Sequence, residues 1–498
     1  MSDAIDRGHA GRAIITYARG WQSLAATRSL GRRGVEVVTG DEFALTPSSF
    51  SRYSIADFRY PSPTAEPEKF LDVLEETIIK YKPDDPDAPY VLMPIHKETY
   101  LIAEHRERFE PHIRVPVPEL RQIEQVHNKG TLAAYALDRG LSIPDTWMPR
   151  SIEEFVRLAP DISLPAFVKL RESAAGVGIQ KVDTREELEE TFRDFVKRYG
   201  LRPDDYPVIQ QGVPGDDYCV TTLFDRGKLV ACMTYRNIRQ FPADTGAGVV
   251  RETVEVKEME RVATEVLGPL GWHGVAELDF RWTGNESDPA HLIEVNPRFW
   301  GGLKQAIASG WDYPWLLFRL AVDGKVESPE EGRYDVRTET PILGLLATLK
   351  EISENDRRME DLKEAWRRAR HEFKDGSKRR GLRKTVKGLK DFLDVKNRVS
   401  EAKKMLDVHK NNVYDVLSVS DPLPTLGVLY PLAVFFKHGK VNMELLTSEG
   451  GPKEAAADDD VDDSAHDAAA ESSPVDPPKG TTVYSPLDPP KGTDDRDR

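Results

Sequence analysis

Apolar positions fall in short continuous or alternating runs separated by stretches of helical period, and the two textures alternate through the first 330 residues. AIITY (13–17) predicts a strand, ARGWQ a loop, and SLAATRSLGRRG, closing on Gly34, a helix. VEVVTGD predicts the next strand. A helix near 70–81, a strand YVLMPI at 90–95, a helix around 100–109 and a short strand at 113–116 follow. Strand and helix in alternation predict a parallel sheet of the β-α-β kind.

From His127 the pattern changes. A helix at 127–140 carries Lys129 near its start, and PAFVKL (165–170) predicts a strand that runs through RESAAGVG (171–178) into the strand IQKV. A charged helix (185–199) precedes VIQQGVPGDDYCVTTLFD and KLVACMTYRNI, which read as a hairpin turning at 225–228. A helix at 257–267 leads to GWHGVAELDFRW and HLIEVNPRFWGGLKQAIASG, two strands joined by a polar turn and followed by a helix.

Beyond residue 330 charge takes over. Residues 366–404 hold 15 basic and 5 acidic side chains, whereas 449–498 hold 14 acidic and 5 basic ones with almost no large apolar residue, which predicts a disordered acidic tail. In that tail SPVDPPKGT (473–481) recurs as SPLDPPKGT (485–493), too few copies for a solenoid. The expected domains are 1–117, Rossmann-like; 118–330, α+β; 331–448, a basic helical region; and 449–498, the tail. The basic block followed by LPTLGVLYPLAVFF fits peripheral contact of 366–436 with an anionic membrane, and fits better a helical appendage that packs 423–436 on the body.

Composition narrows the function classes. A formal net charge of −15 over 498 residues argues against a polyanion-binding protein, so no nucleic-acid partner is expected. The two cysteines, Cys219 and Cys232, provide neither a disulfide framework nor metal-ligand spacing and read as buried structural residues. With no secretory signal and no apolar run of eighteen residues, the expected location is cytoplasmic. The loop ARGWQSLAA lacks G-x-G-x-x-G, which argues against a dinucleotide site with Asp41 on a ribose.

The chemistry concentrates at Glu277-Leu278-Asp279 and HLIEVNPR. Alternation puts Glu294, Asn296 and Arg298 on one face of a strand and Glu277 with Asp279 on one face of its neighbour. If the faces coincide, carboxylates and an amide oxygen converge as hard ligands suited to Mg2+ or Mn2+, and Arg298 stands ready for a phosphoryl group. RESAAGVG, preceded by Lys169, suits a backbone wrapped on phosphate, although an ordinary turn explains that loop as well.

In this order and spacing the residues resemble the ATP-grasp superfamily of carboxylate-amine ligases, over roughly 127–320, with EVNPR and VKLRESAAGVG as the specific parts. The resemblance implies an α/β chain: an N-terminal Rossmann-like pre-ATP-grasp domain, an α+β ATP-grasp domain, a helical C-terminal appendage and a disordered tail. It implies ATP and Mg2+ as cofactors. Lys129 and Lys169 look like the phosphate lysines, and Ser173, Ala174, Ala175, Gly176 and Gly178 like the mobile phosphate loop. IQQGVPGDDY looks like the hinge, where Gln210 and Val213 would meet adenine and Asp217 ribose; Gln at 210 and 211 departs from the family's frequent Glu. Asp279, Glu294 and Asn296 match the metal ligands, and Arg298, with Lys169, the catalytic cations. Glu277 is extra.

The implied function is activation of a small carboxylate as an acyl phosphate and its coupling to an amine, in a protein that could be a homodimer. Two alternatives use the same residues: a catalytically idle, regulatory ATP-binding protein at a membrane surface or assembly, and an enzyme that stops at phosphorylation or forms a carbamoyl product. Substrate candidates are Arg19, Trp21, His96, Lys97 and Glu98 at strand ends, and Trp300 with Trp311. Taken singly, each of these side chains is better explained as a capped or packed one, and His273 reads as a hydrogen-bonded strand-end residue.

Overall fold

The computed structural model describes residues 10–172, 178–241, 246–329, 332–340, 343–344 and 412–428, and the tail, the duplicated motif and most of 366–436 lie outside them. The described residues fall in one contact unit. The chain opens with β1 (Arg12–Ile15), α1 (Trp21–Gly31), β2 (Glu36–Asp41), β3 (Ser54–Arg59), α2 (Pro67–Lys80) and β4 (Tyr90–Met93). They build a sheet of order β3-β2-β1-β4 in which every pairing is parallel. Ile14, Val38 and Leu92 face Phe70, Leu74 and Ile78 of α2, while Ile15, Val37 and Met93 supply the opposite face. Burial on both faces is what parallel strands with crossover helices require.

The expected strand at 113–116 is a single bridge from Arg114 to Val91. The helix expected around 100–109 breaks at His105 into α3 (Glu98–Glu104) and α4 (Arg106–Phe109). β3 lies outside the sequence expectations. It is an edge strand with no fully buried residue, so its apolar signal is weak.

Two helices, α5 (Leu120–His127) and α6 (Lys129–Asp138), stand where one was expected. Asn128 divides them: its side chain accepts from the Gly130 and Thr131 amides and caps α6, which makes Lys129 the first helical residue. A four-stranded antiparallel sheet follows, from β5 (Thr146–Trp147), α7 (Ile152–Leu158), β6 (Ala166–Lys169), β7 (Ile179–Val182), α8 (Arg185–Arg198) and β8 (Val208–Gln211), in the order β5-β8-β6-β7. A Thr184–Glu187 capping box starts α8, and Phe155 of α7 stacks on Phe192 of α8 over Val168.

The largest sheet has seven strands in the order β13-β12-β9-β10-β11-β14-β15. Its members are β9 (Asp216–Asp225), β10 (Lys228–Phe241), β11 (Ala247–Val254), β12 (Gly274–Trp282), β13 (His291–Asn296), β14 (Arg337–Glu339) and β15 (Val413–Tyr414). The β9–β10 turn is Arg226-Gly227, both at positive φ (46° and 86°), the two-residue geometry whose twist suits a hairpin. α9 (Lys257–Leu267), α10 (Leu303–Ala308) and α11 (Tyr313–Asp323) pack on the sheet. β14 and β15 lie beyond residue 330, so the sheet recruits chain from the region expected to be an appendage.

That recruitment is tightly held. The segment 412–425 returns to the body through Asp415, which accepts from Arg251 (3.0 Å) and Thr340 (2.6 Å), and through Asp421, which accepts from Arg28 (2.8 Å), Ser51 (2.8 Å) and the Arg52 amide (2.9 Å). Arg251 and Asp415 are 5% and 1% exposed, Arg28 and Asp421 7% and 1%. Pairs this dry tie the segment to the first sheet's α1 and to β11 alike. Among the described residues no helix is long and apolar enough to cross a membrane.

Candidate active site

The register of β12 and β13 decides the face question. Glu277 pairs with Asn296 and Asp279 with Glu294, so all four side chains lie on one side of the sheet. Asn296 Nδ2 donates to Asp279 Oδ2 and Glu294 Oε1, both at 3.2 Å, standing between two carboxylates where a cation would. Arg298, just past the strand, donates to Asn296 Oδ1 (3.0 Å) and to the Phe299 carbonyl (3.0 Å), which fixes its guanidinium beside the cluster.

The lysines come from two other elements. Lys129, at the start of α6 and buried, has its Nζ 3.1 Å from Glu294 Oε2. Lys169, the last residue of β6, donates to Gln210 Oε1 at 2.7 Å. Burial and the proximity of Lys129 push the Lys169 amine down to about 8. At Glu294 burial opposes ionisation, but Lys129 and Lys169 prevail and the carboxyl is held at about 2. Asp279 goes the other way: burial, then Glu277 and Glu294, raise it well above the usual carboxylate range. A face that crowds three carboxylates until one resists ionising fits a divalent cation. The Sγ of Cys219 also approaches Glu277 and Asp279, but burial raises that thiol well above its ordinary range, so oxygen ligands fit better.

Lys169, Gln210, Arg298 and the four side chains of β12 and β13 line a cavity of about 650 Å3, to which Lys129 is linked through Glu294. One end lies between the four-stranded and seven-stranded sheets and is lined by Phe167, Ile179, Gln211, Val213, Phe280 and Ile293. Asp217 stands here, held by Arg281 at 2.6 Å. Gln210 sits mid-sheet, in register with both Thr146 and Phe167, and its amide donates to Thr146 while its oxygen holds Lys169. The other end is closed by the β1–α1 loop, with Arg19, Gly20 and Trp21, by Phe43 and Leu45, and by Tyr235, Arg251, Gly301 and Gly302.

A sequence profile for the family described as "ATP-grasp in the biosynthetic pathway with Ter operon" matches residues 206–341. The D-alanine–D-alanine ligase of Dechloromonas aromatica is 26% identical over 203 residues, which is 36% of this chain and 62% of that protein. The carbamoyl phosphate synthase large chain of Hyperthermus butylicus is 24% identical over 328 residues, 61% of this chain and 28% of that one. Among solved structures, a biotin carboxylase–βγ-ATP complex from Campylobacter jejuni has the same fold, with a TM-score of 0.53, 15% identity, and coverage of 65% of this chain and 74% of that one. An N5-carboxyaminoimidazole synthetase of Staphylococcus aureus complexed with ADP aligns with a TM-score of 0.51 and 13% identity over 70% and 86% of the two chains. Residues 206–341 match an ATP-grasp family, and the chain has the fold of these solved structures. It spans less than two thirds of the length of these curated relatives.

The structure brings most of the candidate residues together: Lys169, Asp279, Glu294, Asn296 and Arg298 line the cavity along with Gln210, Val213 and Asp217, and Lys129 joins them through Glu294. Ser173, Ala174, Ala175 and Gly176 lie outside the described residues. Gly178 closes that loop at φ +66°, where a Cβ would come within 2.4 Å of the Leu170 side chain, and its carbonyl accepts from the Leu170 amide at 2.8 Å.

The substrate candidates divide. Arg19, Trp21 and His96 line the cavity, whereas Lys97 does not. Glu98 is buried and serves the loop, accepting from Thr16 and from the Ile95 (3.2 Å) and His96 (3.1 Å) amides. Trp300 is fully buried edge-on to Tyr313, and Trp311 packs on Tyr334. His273 stands 3.3 Å from Asp225 at the start of β12.

Sequence reasoning missed Tyr235, whose hydroxyl donates to Glu277 Oε1 at 2.5 Å, and Arg251 with its partner Asp415. Tyr235 could have been found from the alternation that puts it on the same face of its strand as Met233. The Arg251–Asp415 pair joins residues 164 positions apart and leaves no local signal.

Proposed function

We propose that the chain is an Mg2+- and ATP-dependent ligase that activates a small-molecule carboxylate as an acyl phosphate and couples it to an amine. The observation that carries this reading is the single face of β12 and β13. Asp279, Glu294 and Asn296 converge there, with Arg298 and Lys169 on the wall of the same cavity, which loops of the first sheet also line, and with Lys129 paired to Glu294.

Asp279, Glu294 and Asn296 would hold the Mg2+, which when bound neutralises the β and γ phosphates of ATP. Lys169 and Lys129 supply fixed positive charge to the same phosphates. Gln210 fixes Lys169 through its oxygen, and Asp217, set by Arg281, offers an acceptor for ribose hydroxyls. A carboxylate oxygen of the substrate attacks the γ-phosphorus in line, the bond to the β-γ bridging oxygen breaks, and ADP leaves. The amine then attacks the acyl carbon and phosphate departs. Arg298 is placed to stabilise charge on the moving phosphoryl group and on the tetrahedral intermediate. Exclusion of water from the cavity during turnover would protect the acyl phosphate.

The test is ADP and phosphate release from Mg-ATP, screened against pools of carboxylates and amines, with Lys169→Ala as the control. Release that needs one carboxylate and one amine, and disappears in the control, is the expected result. Release with a carboxylate but no dependence on an amine would move the reading to a phosphorylating or carbamoyl-forming enzyme. ATP binding with no turnover under any pool would make the chain a regulatory nucleotide-binding protein instead.

A further inference from the structure

A second cavity, of about 520 Å3, lies where α1, α10 and the returning 415–418 segment meet. Its walls carry Arg28, Arg32, Arg33 and Lys304 against Asp312 and Asp415. The anions are already taken. Asp312 pairs with Arg33 (2.8 Å) and Asp415 with Arg251 (3.0 Å), while Arg28 is spent on Asp421 (2.8 Å) and the Val416 carbonyl (2.7 Å). The side chains of Arg32, exposed just past the C-terminal end of α1, and Lys304, half-buried in the first turn of α10, make no hydrogen bond or ion pair with any described residue. Two positive charges therefore face one polar cavity whose described carboxylates are already paired with other arginines.

Like charges repel, and at the half-buried Lys304 the protein screens that repulsion less than water does, so an anion joining the pair is favoured there. Lys304 shows the strain: burial, then Arg32, push its amine below the ordinary lysine range. Arg32 offers a planar fork of donors and Lys304 a point charge, a pair matched to a tetrahedral oxyanion carrying two negative charges. We infer that this cavity is a binding site for a phosphate dianion, free or as the phosphate group of a small phosphomonoester, held between Arg32 and Lys304.

The site has a bearing on the large cavity because the two share walls. α1 begins at the large cavity with Trp21 and Gln22 and ends at the small one with Arg32. α10 starts beside Gly302, and Asp415 holds Arg251, which lines the large cavity. An anion between α1 and α10 braces the two elements that close the far end of the large cavity.

Calorimetric titration of the full chain tests this, using inorganic phosphate, glycerol 3-phosphate, and chloride at matched ionic strength, on wild type and on a Lys169→Ala background that weakens phosphate binding in the large cavity. Phosphate-class ligands are expected to bind both backgrounds, with affinity falling tenfold or more in Lys304→Gln and in Arg32→Gln and returning in Lys304→Arg. Preference for glycerol 3-phosphate would identify a phosphomonoester as the source, and equal or better binding of inorganic phosphate the free anion. Binding unchanged in both Gln variants, binding lost in Lys169→Ala alone, or equal heats with chloride would overturn the inference. Urea midpoints of the Gln variants within error of wild type separate loss of binding from loss of fold.

Discussion

Lys169 illustrates how one side chain can be tuned by where a strand ends. It is the last residue of β6, buried, bonded to Gln210 and close to Lys129, and its amine is pushed down to about 8. It is therefore mostly charged at neutral pH and loses its charge as pH rises through 8. Above that point ATP binding must take up a proton, so the Kd for ATP is expected to rise by up to about tenfold per pH unit between 8 and 9. In Lys169→Arg, whose charge persists, the profile flattens; calorimetry across pH 7 to 9 reads the difference, and a flat wild-type profile would contradict it. Glu294→Gln removes a charge from the cluster but keeps an acceptor for Lys129, so ADP production should fall by about 100-fold or more with an unchanged far-ultraviolet spectrum. Full turnover in that variant would show that Glu294 holds no metal.

At the level of elements, the pair β12 and β13 was legible from sequence because alternation orders each strand and a polar turn joins them. Antiparallel pairing then leaves only the register open, and Asp279 opposite Glu294 resolves it. Sequence missed β3, β5, β11, β14 and β15, and most of these lack that support. β3 is an exposed edge, and β14 and β15, three and two residues long, gain their place from partners far along the chain. Asp415 sits at the end of β15 in a stretch that reads as a polar appendage, yet it neutralises Arg251 in the core. Removing one partner of a buried ion pair typically costs about 3–5 kcal/mol, because the other charge stays buried alone. Asp415→Ala is accordingly expected to lose stability of that order in urea unfolding, and a change under about 1 kcal/mol would show the pair to be solvated.

The whole molecule assembles its cavity from three parts: the first parallel sheet, the four-stranded sheet and the seven-stranded sheet. Sequence showed strands in each part and named residues that the structure brings together, Lys169, Asp279, Glu294, Asn296 and Arg298 among them, but not the segment 412–425 that ties α1 to β11, since these contacts span more than 160 positions. Two truncations separate the roles of the C-terminal region. A chain ending at residue 448 should retain its melting temperature and ATP turnover. A chain ending at residue 411 strands Arg28 and Arg251 without Asp421 and Asp415, and should fail to fold cooperatively when followed by calorimetry. Equal melting of the two would show the segment to be dispensable.

The parallel pairing of β14 with β15 has a consequence for how this chain can be rebuilt. Thr338 lies opposite Val413 and Glu339 opposite Tyr414, so two short strands far apart in the chain run side by side. Their pairing is a contact in space that no peptide bond between them has to enforce. A peptide of residues 412–428 supplied separately to a chain ending at 411 is thus expected to dock on β14 and restore cooperative melting, a split of the molecule into two complementing fragments.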